Sequence, residues 1–330
     1  MTQAPSGEDS LIARYFKPLA TDPGAFGLVD DAAAIPAGAD DLVVNTDAIV
    51  EGVHYLPDDP PDTIARKALR VNLSDLAAKG AAPAGFLLTL ALRQKDEAWL
   101  AAFARGLGED AAVFGCPLLG GDTVSTPGPV MISVTAWGRV PKDRMVHRFG
   151  ARPGDRVMVT GTIGDAALGL RILQGRAGVA ALDADPAARD MLISRYRVPQ
   201  PRTALAAAVR DYATASMDVS DGLAGDLTKL CAASSVSADI ALSHVPISSA
   251  AARLVAAQSV QLETLISGGD DYEILCTVPA AQCDAYRAAA NTAGIAVADI
   301  GAIVEGPQAP RFLDAQGRPV SLQRLSYSHF

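Results

Sequence analysis

Five times along this chain an apolar run of strand length gives way to small residues and then to one or two aspartates, centred on Asp30/Asp31, Asp47, Asp122, Asp218/Asp221 and Asp270/Asp271. That recurrence constrains the fold more than any other feature. A strand that ends in Gly or Ala followed by Asp presents a carboxylate from a rigid scaffold, and the small residues let a ligand approach the backbone closely. Between these runs lie helix-period segments. One is capped by Asp62 or Thr63, carries Ile64, Ala68, Leu69, Leu73 and Leu76, and is ended by Gly80 and Pro83; a second spans about Asp96 to Phe114. Strands alternating with helices in both halves of the chain predict a two-layer α/β or α+β architecture.

The 330 residues, 49% hydrophobic and 20% charged, are enough for two cores. Around Arg148-Phe149-Gly150-Ala151-Arg152-Pro153-Gly154-Asp155 the periodicity stops and turn residues cluster, so the expected domains are residues 1–147 and 148–330. The second half restarts with a strand over Arg156–Thr160 and a glycine turn, Gly161 to Gly164, which serves either anion binding or helix packing. Helices are expected over roughly 185–195 and 203–212, a short strand before Asp218, a helix after Gly222 and a strand over Ile274–Val278.

Several function classes are excluded. The longest apolar run, Gly80 to Leu92, is too short to cross a bilayer, and the acidic N-terminus has no apolar core, so neither a membrane span nor a signal peptide is expected and the cytoplasm is. A net charge of -9 without a Lys/Arg run argues against nucleic acid. Cys116, Cys231, Cys276 and Cys283 lack metal-site spacing and read as buried free thiols. There is no GxxxxGK[ST] loop, no GxGxxG turn, no protein-kinase HRD or DFG set and no GxSxG elbow.

Any one of the aspartates reads most simply as a helix cap or an Asx turn. Six segments together, with Asp75 on the first long helix as the sixth, point instead to carboxylates gathered around cations, because clustered carboxylates repel one another otherwise. With Thr46 and Ser220 as neighbours and no His/Cys cluster, the chemistry suits Mg²⁺, and magnesium held by a few Asp converts an acidic cleft into a receptor for nucleotide phosphates. Calcium is the chemical rival, but no DxDxDG loop is present. Asp75 lies in the last turns of its helix, where the macrodipole disfavours a carboxylate, so it requires Lys79 or a metal as partner. His54 either packs with Tyr55 or contacts substrate, and Arg148 is either solvated or meets a nucleotide phosphate.

Gly27…Asp30-Asp31-Ala32-Ala33, Thr46-Asp47-Ala48-Ile49-Val50-Glu51-Gly52-Val53-His54-Tyr55, Val71-Asn72-Leu73-Ser74-Asp75-Leu76-Ala77-Ala78, Gly120-Gly121-Asp122-Thr123, Met217-Asp218-Val219-Ser220-Asp221-Gly222-Leu223 and Ser267-Gly268-Gly269-Asp270-Asp271-Tyr272-Glu273 together resemble the thiamine-monophosphate kinase family. The resemblance spans nearly the whole chain, ending at Tyr327-Ser328-His329-Phe330. It implies the two-domain aminoimidazole-ribonucleotide-synthetase-like fold, with N-terminal domains pairing in a homodimer. It also implies ATP-dependent phosphorylation of thiamine monophosphate by direct transfer. By position, Asp31, Thr46, Asp47, Asp75, Asp122 and Asp218 would bind magnesium, with Asp30 in support, and Asp221 would bind a further ion. Gly121, Asp122, Arg148 and Ser220 would serve ATP, and His54, Asp270 and Tyr327 the thiamine phosphate. The chain departs from the family pattern at Val29, where glycine is usual, at Asn45, where a metal-binding Thr is usual, and at Asp270, where Glu is usual. Other ATP-using members of the superfamily, and a non-catalytic nucleotide-binding module, are the rival readings. A selenophosphate synthetase would need a reactive Cys near the N-terminus, and the first here is Cys116.

Overall fold

The computed structural model describes residues 11–28, 35 and 38–326, and these fall into two compact units. The first ends at Asp143 and the second begins at Arg144, with the short stretch Ala77–Ala81 also belonging to the second.

The first unit is a four-stranded sheet, β1 (Asp41–Val50), β2 (Ala82–Leu92), β3 (Leu118–Ser125) and β4 (Met131–Val140), in the order β1-β4-β2-β3. Two long helices accompany it, α1 (Pro61–Ala78) and α2 (Glu97–Val113). Asp96 caps α2, its side chain accepting from the Ala98 and Trp99 N–H groups. Period-two alternation makes one face of β2 (Phe86, Leu88, Leu90) apolar and buried, and Leu69, Leu73 and Leu76 of α1 and Leu100, Phe103 and Leu107 of α2 are buried with it. The two helices are tied by Arg66 and Arg70, which both donate to the fully buried carboxylate of Asp110. Each large apolar side chain buried in this way contributes about 1.5–3 kcal/mol, so the sheet and its helices form a stable platform for the site residues. The opposite sheet face leaves Leu42, Val44, Leu87 and Val124 exposed.

The second unit is built on a seven-stranded sheet in the order β11-β10-β7-β9-β5-β8-β6. Its strands are β5 (Arg156–Thr160), β6 (Ala215–Asp218), β7 (Ser237–Ala241), β8 (Ile274–Val278), β9 (Val297–Val304), β10 (Arg311–Leu313) and β11 (Pro319–Val320). Alternation along β5 feeds two cores: Val157 and Val159 join the cluster of Leu223, Leu227 and Leu230, while Met158 joins that of Val209, Cys276 and Tyr286. The helices are α3 (Asp165–Leu173), α4 (Pro186–Arg197), α5 (Ala206–Tyr212), α6 (Leu223–Ser234), α7 (Ser249–Ala256), α8 (Leu262–Ile266) and α9 (Cys283–Thr292).

The alternation of strands and helices produces mixed sheets. Among the described strands only β2/β3 in the first unit and β7/β10 in the second pair in parallel. The strands expected to stop before their aspartates also continue through them, so Asp47 and Asp122 lie inside β1 and β3 and not after them. Cross-strand pairing from the neighbours, Asp47 opposite Val134 and Asp122 opposite Thr89, carries each strand past its polar residue. All four cysteines are free and buried, and burial pushes the thiols of Cys116, Cys231 and Cys276 up to about 12, which makes them inert. Among the described residues no helix is long and apolar enough to cross a membrane.

Candidate active site

In the first unit, β1 and α1 meet around a buried asparagine. Asn72 is fully buried; its Nδ2 donates to the Ala68 carbonyl (3.0 Å) and its Oδ1 accepts the Asp47 backbone N–H (3.0 Å). Asn45, on the same strand face two residues before Asp47, directs its Nδ2 at Asn72 Oδ1 (3.1 Å), the Asn72 carbonyl (3.1 Å) and Asp75 Oδ2 (3.0 Å). Three oxygens around Nδ2 settle which way the Asn45 amide points. Its Oδ1 is therefore turned the other way, and this atom is buried with no hydrogen-bond partner among the described residues. An orphaned buried amide oxygen, on the amide's far side from Asp75 and on the same strand face as Asp47, is a donor that suits a hard cation. Asp75 thus has the Asn45 amide as a partner, while the Lys79 ammonium donates to the Ser216 carbonyl (2.7 Å).

Thr46 belongs to the other face. Its hydroxyl donates to the Val134 carbonyl (3.1 Å) and accepts from Thr135 (3.0 Å), so its side chain does not join Asn45 and Asp75. Asp122 shares that second face through the row Asp122, Thr89, Ser133 and Ala48, and it stands on β3, at the opposite sheet edge from β1. Three strand spacings, about 14 Å, separate the two edges. Gly121 packs its Cα against β2 so closely that a Cβ would sit 1.8 Å from the Leu88 carbonyl oxygen, so strand packing already requires a glycine here.

His54 closes the turn after β1, where Gly52 takes φ 79° and its N–H donates to the Tyr55 carbonyl (2.8 Å). His54 Nδ1 accepts the Val50 N–H (3.0 Å), which places the ring proton on Nε2 as a donor. A cavity of about 160 Å³ opens beside this turn, lined by Glu51, Arg93, Trp99 and Leu100 among others.

In the second unit the two remaining aspartate motifs are laced together. The Asp270 and Tyr272 N–H groups donate to the Ser220 and Val219 carbonyls (both 2.8 Å), and the Val219 N–H donates to the Glu273 carbonyl (2.8 Å). Asp218, Ser220 and Asp221 are thereby held beside Asp270. The second loop bends through left-handed conformations at Asp270 (φ 71°) and Tyr272 (φ 50°), which strain non-glycine residues. Behind it the fully buried Glu273 carboxylate accepts from Thr160 (2.6 Å), Arg195 (2.6 Å) and Arg202 (2.7 Å through Nε). Gly161 makes room for that carboxylate, since a Cβ there would sit 2.1 Å from Glu273 Oε1. Asp271, also buried, accepts the Gly164 N–H (2.7 Å), and desolvation holds its carboxyl well above the usual range. Asp221 is engaged by a cation of the chain itself: Lys229 Nζ lies 2.6 Å from its Oδ2. A metal ion does not fit there as it fits at Asn45 and Asp75.

Arg148 is exposed between His147 and Phe149, whose rings stack at 4.5 Å. Asp30, Asp31 and Tyr327 lie outside the described residues. Among the described residues no three His, Cys, Asp or Glu side chains converge as a ready metal-ligand group. Sequence reasoning missed Asn72, Lys229 and the Glu273–Arg195–Arg202 cluster. A buried-position Asn inside an apolar helix was a readable signal for the first; the others depend on contacts across the fold.

Comparison with known proteins bears on both units. Residues 29–140 match the AIR synthase related protein N-terminal domain, and residues 152–311 match the AIR synthase related protein C-terminal domain. The thiamine-monophosphate kinase of Caulobacter vibrioides is 45% identical over 99% of this chain and 92% of its own. The crystal structure of thiamine-monophosphate kinase from Stenotrophomonas maltophilia K279a superposes with a TM-score of 0.82 at 36% identity, covering 94% of this chain and 96% of the other. AaThiL complexed with AMPPCP and TMP has a TM-score of 0.76 at 29% identity, covering 93% and 97%.

Proposed function

We propose that this chain, which belongs to the thiamine-monophosphate kinase family and is a phosphotransferase, moves the terminal phosphoryl group of ATP directly and in line onto the phosphate of thiamine monophosphate, assisted by magnesium ions. The observation that carries this reading is the buried Asn45 Oδ1, without a hydrogen-bond partner among the described residues, on a side chain whose Nδ2 is held by Asp75. Asn45, Asp47 and Asp75 would hold magnesium in the first unit, together with Asp30 and Asp31, the Thr46 backbone and Asp122, and Asp218 would do so in the second. Bound there, magnesium would orient the nucleotide phosphates and offset the charge on the transferred group.

The chain's own residues supply position. Gly121, Arg148 and Ser220 contact the nucleotide. His54 offers its Nε2 proton to a substrate oxygen, and Asp270, fixed on its strained loop, contacts the thiamine phosphate with Tyr327. No general base is needed, because a phosphate monoester with a second pKa near 6 is already largely dianionic at neutral pH. Holding two anions in line is the remaining task, and rigid placement of the carboxylates serves it.

The exposed Leu42, Val44, Leu87 and Val124 on one sheet face support a homodimer formed through that face. Asp122 lies on it at the sheet edge remote from β1, while Asp47 stands on the other face at the β1 edge, so the two do not reach one phosphate within a protomer, and one protomer's Asp122 would serve the nucleotide held at its partner's β1 edge. The acidic surface and four buried thiols suit the cytoplasm. The reading is tested by incubating the purified protein with ATP, Mg²⁺ and thiamine monophosphate: thiamine diphosphate is expected, and none above background overturns it. Mixing inactive Asp47→Asn and Asp122→Asn dimers is expected to restore about a quarter of wild-type activity, because half the dimers are mixed and each has one intact site. No recovery would place Asp122 in its own protomer's site.

A further inference from the structure

The loop after β6 carries Asp221, the position to which the family resemblance assigns a further ion. Two features of its surroundings oppose that assignment. Lys229, two turns along α6, places Nζ 2.6 Å from Asp221 Oδ2 and 2.8 Å from Asp226 Oδ1. Asp226 is fully buried, and its second oxygen accepts the Asp221 backbone N–H (2.9 Å). The lysine is therefore held at two points, one of them in the core, and the same buried carboxylate fixes the loop that carries Asp221.

Exposure decides which contact matters. Between Lys229 and Asp221, with side chains 41% and 34% exposed, an ion pair alone would be weak and easily exchanged for a metal. Asp226 is different. Its charge is out of water and needs a cation, and Lys229, three residues along the helix, is the partner the structure provides. An ion that displaced the ammonium from Asp221 would have to leave Nζ on Asp226, crowding two cations together, or leave Asp226 charged and buried without compensation.

We propose that Lys229 supplies at Asp221 the positive charge that a magnesium ion would otherwise bring, so that Asp221 binds no ion of its own in this protein. The inference rests on the kinase reading only in taking Asp221 as a position at which an ion is expected. Its consequence is a phosphate-handling site with one fewer exchangeable cation and one fixed one, positioned by the fold before any nucleotide arrives.

Counting bound Mn²⁺ by electron paramagnetic resonance, with the intact protein and a non-hydrolysable ATP analogue, tests this without turnover. Lys229→Met is expected to bind one more Mn²⁺ per chain than wild type, and adding Asp221→Asn is expected to remove the gain. Since Lys229→Met strips Asp226 of its cation, the pair Lys229→Met with Asp226→Asn provides a folded background if circular dichroism shows the single variant unfolded. Equal counts in wild type and the folded Lys229 variant overturn the proposal, as does a gain that survives Asp221→Asn or a wild-type count that falls when Asp221 alone is changed. A Lys229→Met variant that gains the ion beside a wild type that makes no thiamine diphosphate would keep this inference and lose the kinase reading.

Discussion

The two units carry aspartate motifs of the same sequence form, yet they meet the cost of gathering carboxylates differently. In the first unit the group around Asn45, Asn72 and Asp75 is held by amides, and the buried Asn45 Oδ1 has no partner among the described residues. In the second, two buried acids have cations of the chain beside them: Glu273 has Arg195 and Arg202, and Asp226 has Lys229. The difference teaches where external cations are needed. A carboxylate held only by neutral groups retains its appetite for a cation, whereas one already paired with Arg or Lys forms part of the scaffold.

The largest effect expected from this contrast is on stability in the second unit. Glu273→Ala leaves two arginines facing a carboxylate-sized void, and removing one partner of a buried ion cluster costs about 3–5 kcal/mol. Urea unfolding followed by circular dichroism measures it. A loss under about 1 kcal/mol would mean that water replaces the carboxylate and that this region is not internally balanced. Next comes Asp75→Asn. It keeps the shape of the first-unit group but removes the negative charge, so kcat is expected to fall by about 10²–10³-fold while the unfolding midpoint barely moves. Near-wild-type turnover would dissolve the contrast, because the hungry carboxylate would then have no role.

Much of the scaffold was legible in the chain. The strands at Arg156–Thr160 and Ile274–Val278 follow from their apolar runs, and the helix expected over about Asp96 to Phe114 is present as α2. Period-two alternation even contained the news that Thr46 faces away from Asn45 and Asp47, although a motif written as a line of letters hides it. What local pattern could not reveal was pairing. Whether a strand runs parallel or antiparallel to its neighbour, and that Asp122 lies across the sheet from Asp47, are set by contacts between residues far apart in sequence. Lys229 was missed for a similar reason: only the fold of the loop brings Asp221 back over the helix that bears it.

Asp271 gives the smallest effect and the finest test, because burial outweighs its partners, as it also does at Asp226. Desolvation raises its carboxyl, while the Gly164 N–H and the Arg195 charge pull the other way. With a folded pKa above the unfolded one near 3.9, the native state binds more protons across that window. Its contribution to stability is therefore present below the unfolded value and is lost as pH rises through the folded value. Asp271→Asn keeps an acceptor for the Gly164 N–H and cannot ionise, so its stability relative to wild type should climb with pH through the window and then level off. At neutral pH the gain should be a few degrees in Tm at most, since about 1 kcal/mol moves a protein of this size by roughly 2–4 °C. Parallel pH profiles for the two proteins would mean that Asp271 is balanced by Arg195 after all.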